Sequence, residues 1–163
     1  MIFEDVSLAI ALLFVLVFLL LSILDMKYRT VPGIVVVFLG ATLLALYNQP
    51  LATLIILLAV AWGWIHTWPA KAMLPLLLYP ASWPVLVTGT GVREEMVGRG
   101  DLLAAGSLAL VFPWPALVMS FISLEIWRRW WTSRRDDKYV PALPGMFIGI
   151  CLYMIGASLW AMA

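Results

Sequence analysis

The sequence predicts an all-α integral membrane protein with about six transmembrane helices, and three observations support this. Of the 163 residues, 64% are hydrophobic and only 12% are charged, an apolar excess beyond that of water-soluble domains. The apolar residues form long runs, with the charged residues concentrated between them. The length suits about six short passes, because each needs roughly 20 residues. We therefore expect a single transmembrane domain over residues 1–163.

The first three predicted spans cover residues 6–24, 34–47 and 51–68. The first ends at Asp25 and two basic residues, and Pro32-Gly33 then gives a turn signal. The second stops at an Asn-Gln-Pro sequence, and three tryptophans near the end of the third are typical of a membrane interface. The N-terminal run lacks a basic flank and a small-residue cleavage site, which indicates a retained helix and not a signal peptide.

The segment around residues 73–87 is apolar but contains Pro75, Pro80 and Pro84. Proline removes backbone donors and breaks helices. Irregular backbone at membrane depth needs protein or water to cover it. We therefore expect this segment to be re-entrant or interfacial and not a full span, and we expect residues 88–99 to form a polar loop.

The last three predicted spans are residues 101–112, 116–127 and 141–163, with a proline hairpin between the first two. The charged stretch 128–138 lies before the last span and is expected to determine topology. Residues 101–112 would make only about 18 Å of helix, against a hydrocarbon core of about 30 Å. Either this helix begins upstream, near Glu94, or the bilayer thins there.

Charge distribution predicts the orientation. With Asp25 in the cytoplasm and residues 73–87 not crossing, all ten basic residues fall on the cytoplasmic side, in line with the positive-inside rule. Asp25 and Asp101 then share the cytoplasmic face of the cell membrane. If residues 73–87 crossed, the two acids would lie on opposite faces.

Two carboxylates at the edges of apolar runs indicate a functional site, since charge at a membrane boundary is costly. Two aspartates within hydrogen-bonding distance share a proton, so that one can activate water while the other protonates a carbonyl. Gly98 and Gly100 lack side chains and would let another helix or a substrate backbone approach Asp101. The hypothesis is a water-activating pair formed by Asp25 and Asp101.

Three motifs carry a resemblance to a known family. Residues 25–32, Asp-Met-Lys-Tyr-Arg-Thr-Val-Pro, resemble the Asp-x-x-x-Arg-x-Ile-Pro-Asn signature of type IV prepilin peptidases and archaeal preflagellin peptidases. Residues 98–101, Gly-Arg-Gly-Asp, resemble the Gly-x-Gly-Asp signature of these membrane aspartyl proteases. Residues 140–145, Val-Pro-Ala-Leu-Pro-Gly, are similar to the motif that opens their last helix. The order of the motifs and the six-span plan also match.

The resemblance implies an aspartic endopeptidase that cleaves the basic leader of pilin-like or archaellin-like precursors at the cytoplasmic face. Asp25 and Asp101 would be the catalytic acids. The supporting residues would be Gly98, Gly100, Arg29, Pro141 and Pro144. Arg29 would either orient a carboxylate or anchor the helix. Glu94 and Glu95 would attract the basic leader, or form an ordinary solvated loop.

The sequence also departs from the family pattern. Gly33 replaces the usual asparagine, the two acids are far apart in sequence, and residues 73–87 resemble an insertion. The single cysteine, Cys151, leaves no paired Cys-x-x-Cys motifs, so we expect no cysteine-rich methyltransferase domain. Two alternatives stay open. One is a presenilin-like protease, because Pro141-Ala142-Leu143 matches the motif of that family, and the other is a non-catalytic membrane scaffold or assembly factor.

No cofactor or metal site is predicted, because His66 has no second ligand at a suitable spacing. The expected partners are a membrane-embedded precursor with a basic leader and the lipid bilayer, with no role for nucleic acid. The sequence leaves the oligomeric state open. Glu125 is expected to pair with Arg129, four residues later on the same helix.

Overall fold

The computed structural model describes residues 8–28, 31, 33–95, 97–135 and 140–162, and within them all regular structure is helical. This confirms the all-α prediction. The α-helices are α1 Leu8–Tyr28, α2 Gly33–Asn48, α3 Pro50–Trp64, α4 Trp83–Arg93, α5 Arg99–Val111, α6 Trp114–Arg134 and α7 Ala142–Met162. Two 3-10 helices, Ala70–Leu78 and Pro80–Ser82, lie between α3 and α4. The helices α2 to α5 form one compact unit, and α1, α6 and α7 form another.

Helix length bears on the predicted spans. In the part of the chain whose side chains are described, one stretch is both long and apolar enough to cross a membrane, Ala142–Trp160 of α7, with 19 residues. Helices α2 and α3 are apolar but have 16 and 15 residues. At 1.5 Å per residue they are about 24 Å and 22 Å long. Helix length and composition therefore do not support six spans, and the six-span arrangement stays a prediction.

In the first unit, α5 packs against α2, α3 and α4, and its residues from Leu102 to Leu108 are all buried. A Cβ atom added to Gly106 would lie 2.8 Å from Phe38 Cε2 and 2.9 Å from Val60 Cγ2, so glycine allows the helices to approach here. Helices α3 and α4 cross closely, because a Cβ on Gly63 would lie 2.8 Å from Gly89 Cα. This packing fixes the helix that carries Asp101.

The structure confirms that prolines interrupt the segment 73–87. Pro75 lies inside the first 3-10 helix and Pro80 opens the second. Pro84 lies in the first turn of α4, where a missing N–H removes no helical hydrogen bond. The segment is thus three short helical pieces, and its entry into a membrane stays a prediction.

Side chains add hydrogen bonds to the backbone carbonyl groups of this interrupted segment. Ser82 Oγ lies 2.6 Å from Leu76 O and 2.7 Å from Tyr79 O. Trp83 Nε1 donates to Leu77 O at 2.8 Å. Internal satisfaction of backbone carbonyls is what irregular backbone in an apolar environment requires.

In the second unit, α7 packs against α6 through two glycines spaced four residues apart. A Cβ on Gly145 would lie 2.8 Å from Leu124 Cα, and one on Gly149 would overlap the backbone of Met119 and Ser120. Such spacing of small residues lets two helix backbones come into direct contact. Helix α1 also packs against α7.

Several helix boundaries differ from the prediction. Helix α4 continues to Arg93, so residues 88–93 of the loop expected over 88–99 are helical. The helix carrying Asp101 begins at Arg99, so the alternative in which it begins near Glu94 is wrong. The reason is local, because Glu95 has φ 57° and ends α4, while Gly98 is extended. Helix α6 continues past residue 127 to Arg134, stabilised by Glu125.

Glu125 forms ion pairs with both following arginines. Its carboxylate oxygens lie 2.8 Å from Arg128 Nε and 2.8 Å from Arg129 Nε. The predicted pair with Arg129 is confirmed, and Arg128 is an additional partner. Both pairs have the spacing that stabilises a single helix.

Candidate active site

Asp25 lies in the last turn of α1, where its residue surface is only 3% exposed. The Leu143 N–H donates to Asp25 Oδ2 at 3.3 Å, across 118 residues of sequence. Leu143 is the second residue of α7. The first N–H groups of a helix have no acceptor within it and stabilise a negative charge. The start of α7 therefore forms an anion-stabilising partner for the Asp25 carboxylate.

Pro141 and Pro144 flank the donor that Asp25 uses. Pro141 precedes α7 and Pro144 is its third residue, so neither proline removes a hydrogen bond from the helix. Pro141 is fully buried, and its carbonyl accepts a hydrogen bond from Trp127 Nε1 of α6 at 2.9 Å. The prolines thus fix the start of α7 against α6 and leave the Leu143 N–H available to Asp25.

Asp101 is the third residue of α5 and is half-buried. Gly98, which precedes the helix in an extended conformation (φ −72°, ψ 151°), donates its N–H to Asp101 Oδ2 at 3.1 Å. The Asp101 N–H in turn donates to Gly98 O at 3.1 Å. The bond from the Gly98 N–H to the Asp101 carboxylate is the return bond of a helix N-terminal capping box, in which the side chain of the third helical residue accepts the N–H of the residue before the helix. The orientation of Asp101 is therefore determined by residues three positions away.

The two glycines of the motif have different surroundings. A Cβ on Gly98 would lie 3.3 Å from Asp101 Oδ2, so glycine leaves room for the carboxylate to reach its donor. Around Gly100, no atom of the residues described lies within 4 Å of the Cβ position. The expected approach of another helix is not seen there. The exposed backbone of Gly100 lies beside Asp101 and is open to an extended peptide.

Glu94 and Glu95 form the turn between α4 and α5, and both are exposed. Glu94 N–H donates to Thr90 O at 3.0 Å and Glu95 N–H donates to Val92 O at 3.1 Å. The φ of 57° at Glu95 is in the left-handed region, which costs an L-residue roughly 1–2 kcal/mol. A glycine or asparagine is the usual residue at such a helix end.

Two arginines that the sequence analysis did not single out connect this turn to α3. Arg93 Nη2 donates to His66 O at 2.8 Å, and its Cζ lies 4.6 Å from the centroid of Trp62. Arg99 Cζ lies 5.3 Å from the centroid of Trp64. These tryptophans were interpreted only as interfacial anchors. The sequence signal for this stacking was the pair of arginines on either side of the turn, six residues apart, together with the tryptophans near the end of α3.

The structure thus brings Asp25 together with the motif 140–145, and Asp101 together with Gly98. Asp25 and Asp101 belong to different compact units, and their pairing stays a prediction. Arg29 lies outside the described residues. Within the described ranges, no group of three His, Cys, Asp or Glu side chains could hold a metal ion.

Comparisons of the chain with protein-family models, with curated proteins and with solved structures give no match.

Proposed function

We propose that this protein is a multi-pass membrane aspartyl endopeptidase that removes the basic leader of pilin-like or archaellin-like precursors, with Asp25 and Asp101 as its catalytic acids. One observation carries the proposal. The Asp25 carboxylate accepts the N–H of Leu143, so two of the three motifs that resemble the peptidase family are in contact in the fold although 118 residues separate them.

The proposed membrane arrangement uses α1, α2, α3, α5, α6 and α7 as spans. Large apolar side chains exposed on α2 and α3, such as Val36, Leu43 and Leu51, favour a lipid environment. Because α2, α3 and α5 are shorter than the hydrocarbon core, the bilayer would be thinner around them. The segment 73–87 would stay at the cytoplasmic side, which leaves Asp25 and Asp101 on one face.

The proposed reaction is peptide hydrolysis by the carboxylate pair. Water attacks the scissile carbonyl carbon and gives its proton to one carboxylate, while the other protonates the carbonyl oxygen. The tetrahedral intermediate then breaks its C–N bond. The amine nitrogen takes up the proton that the first carboxylate received, and the second carboxylate takes back a proton from a hydroxyl of the intermediate. Each carboxylate accepts an N–H from a helix N-terminus, so each can carry the negative charge in turn. The two groups share one proton and titrate as a pair.

The substrate features follow from the charges near Asp101. Glu94 and Glu95 are exposed seven and six residues before it, which suits a leader rich in Lys or Arg. The open backbone at Gly100 suits an extended peptide. A precursor with basic residues, then glycine, then an apolar helix has this combination of features.

The test is cleavage of such a precursor by the purified protein in lipid, comparing wild type with Asp25→Asn and Asp101→Asn. Each variant should lose at least about 100-fold in rate, since it leaves one carboxyl group unable to exchange a proton. The matched control is Glu125→Gln, which removes an acid outside the site and should cleave at the wild-type rate. Undiminished cleavage by either aspartate variant would contradict the proposal.

A second experiment tests whether Glu94 and Glu95 attract the basic leader of the precursor. Glu94→Gln together with Glu95→Gln should raise KM several-fold with kcat nearly unchanged, because charge attraction acts on binding. The increase should shrink at high salt, where exposed charges are screened. An unchanged KM would remove these residues from leader recognition.

A non-catalytic scaffold is the second candidate, and the capping bond of Asp101 favours it. A carboxylate that bonds the N–H three residues earlier is an ordinary way to begin a helix. This candidate predicts that the folded wild-type protein cleaves no precursor. A presenilin-like protease predicts cleavage that does not depend on the basic leader, so a leader-free precursor separates it from the main proposal.

A further inference from the structure

The C-terminal end of α6 carries three tryptophans and Arg134, and the sequence continues with Arg135, two aspartates and Lys138. The indole rings form one cluster, with centroids 5.1 Å apart for Trp127 and Trp130 and 5.7 Å apart for Trp127 and Trp131. Arg134 Cζ lies 5.2 Å from the centroid of Trp130, and Arg135 Cζ lies 4.2 Å from that of Trp131. Two guanidinium groups are therefore stacked on the end of an aromatic cluster.

The four arginines of this region have different partners. Arg128 and Arg129 share the Glu125 carboxylate. Arg134 and Arg135 each stack on an aromatic ring, and among the residues described neither forms an ion pair with a carboxylate. A guanidinium stacked on a ring keeps its N–H edges free, and those edges match the oxygens of a phosphate group.

Exposed side chains continue from Arg134 along one ridge of α6. Val118, Ile122, Ile126, Trp130 and Arg134 follow each other at intervals of four residues, and all five are exposed. Neighbours at this interval are adjacent on the helix surface. Each is turned by about 40° from the one before, so the five side chains form a diagonal ridge across the helix. The ridge thus runs from aliphatic through aromatic to cationic side chains. A phospholipid has the same order, from acyl chain through the interfacial region to phosphate.

The length of the ridge agrees with this match. From Val118 to Ile126 the rise is about 12 Å at 1.5 Å per residue, within the roughly 15 Å of one hydrocarbon leaflet. Tryptophan is typical of the level where that leaflet ends. Arg134 then lies at the depth of the headgroup phosphates.

We propose that this ridge binds one anionic phospholipid, with its acyl chain along Val118, Ile122 and Ile126 and its headgroup phosphate on Arg134. The positive charge and the order of side chains commit the surface to an anionic lipid, because a zwitterionic headgroup would place a cation beside the arginines. The proposal rests on the membrane placement in the proposed function but not on its peptidase chemistry.

The experiment is native mass spectrometry of the purified full chain, titrated with dioleoylphosphatidylglycerol or with dioleoylphosphatidylcholine. The wild-type protein should retain phosphatidylglycerol in preference to phosphatidylcholine. Arg134→Gln should raise the Kd for phosphatidylglycerol about fivefold, which is the effect of one basic residue at an anionic surface. Ile126→Asn should weaken binding of both lipids, because it places an amide where the acyl chain lies.

The matched control is Arg129→Gln on the same helix, since Arg129 is paired with Glu125 and lies off the ridge. Its lipid binding should equal that of wild type. Equal retention of both lipids by wild type, or equal losses in Arg134→Gln and Arg129→Gln, would overturn the site. Circular dichroism of each variant verifies that it is folded. Since no arm measures cleavage, failure of the lipid site and failure of the peptidase proposal are distinguishable.

Discussion

Asp25 and Asp101 are the same residue type, each at the edge of an apolar run, but the protein holds them in different ways. Asp101 accepts its hydrogen bond from Gly98, three residues earlier, and is half-buried. Asp25 accepts its hydrogen bond from Leu143, 118 residues later, and is buried. The position of Asp101 is determined locally. That of Asp25 depends on the packing of three helices in its unit.

This difference has an energetic consequence. A hydrogen bond to a charged group contributes about 1.5–3 kcal/mol when it is protected from water. A carboxylate at an exposed helix N-terminus contributes only about 0.3–1 kcal/mol. Substitutions around Asp25 should therefore change the free energy of unfolding and the cleavage rate more than matched substitutions near Asp101 do.

The largest effect is expected for Gly149→Val in α7. Its Cβ would overlap the backbone of Met119 and Ser120, and backbone atoms cannot move aside as a side chain end can. The free energy of unfolding should fall by about 3 kcal/mol, the upper end of the usual overpacking range. Thermal unfolding in detergent, followed by circular dichroism, measures it.

Gly156→Val is the control for this substitution. It lies on the same helix, and no described atom is found within 4 Å of its Cβ position. Its unfolding midpoint should stay close to that of wild type. Equal midpoints for the two valine variants would mean that α6 and α7 do not pack as described.

The next effect is expected for Leu143→Pro. Proline is tolerated in the first turn of a helix, so the substitution removes the N–H that Asp25 uses while keeping α7. The loss of about 1.5–3 kcal/mol would lower the rate of precursor cleavage roughly 10- to 100-fold if it is fully expressed in the transition state.

Leu143→Ala is the control, because it removes the buried side chain and keeps the N–H. The difference in cleavage rate between the proline and alanine variants isolates the hydrogen bond. Should alanine reduce the rate as much as proline, the packing of Leu143 and not its N–H would position Asp25.

The smallest effect is expected for Gly98→Pro. The φ of −72° at Gly98 already suits proline, so this substitution also removes a single N–H. The expected loss is about 0.3–1 kcal/mol, visible as a small decrease in the unfolding midpoint. Gly98→Ala, which keeps the N–H, is the control. A fall of about 1.5–3 kcal/mol in the free energy of unfolding, the range expected for the Asp25 hydrogen bond, would remove the distinction between the two acids.

Features encoded by nearby residues could be predicted from the sequence. Apolar runs predicted the α-helices, prolines predicted the break around residues 73–87, and the spacing of Glu125 and Arg129 predicted their pair. The motif residues also indicated both candidate acids. The turn at Glu95 was not predicted, because a glutamate with positive φ gives no signal in its residue type.

Features that depend on distant packing could not be predicted. The Leu143 donor is a backbone group, so its identity is not visible in a side-chain pattern. The stacking of Arg93 on Trp62 depends on how closely α3 and α4 cross, which the glycines at 63 and 89 permit but do not specify. Helix α6 continued beyond its apolar part because ion pairs and arginine stacking stabilise its charged end.

The hydrogen bond between Asp25 and Leu143 also has a consequence for biosynthesis. Asp25 is on α1 and its donor is on α7, so the ribosome must add 118 residues after Asp25 before the bond can form. Until α7 is in place, the Asp25 carboxylate lacks this partner. If the proposed peptidase activity depends on this bond, a chain truncated before α7 should not cleave the precursor.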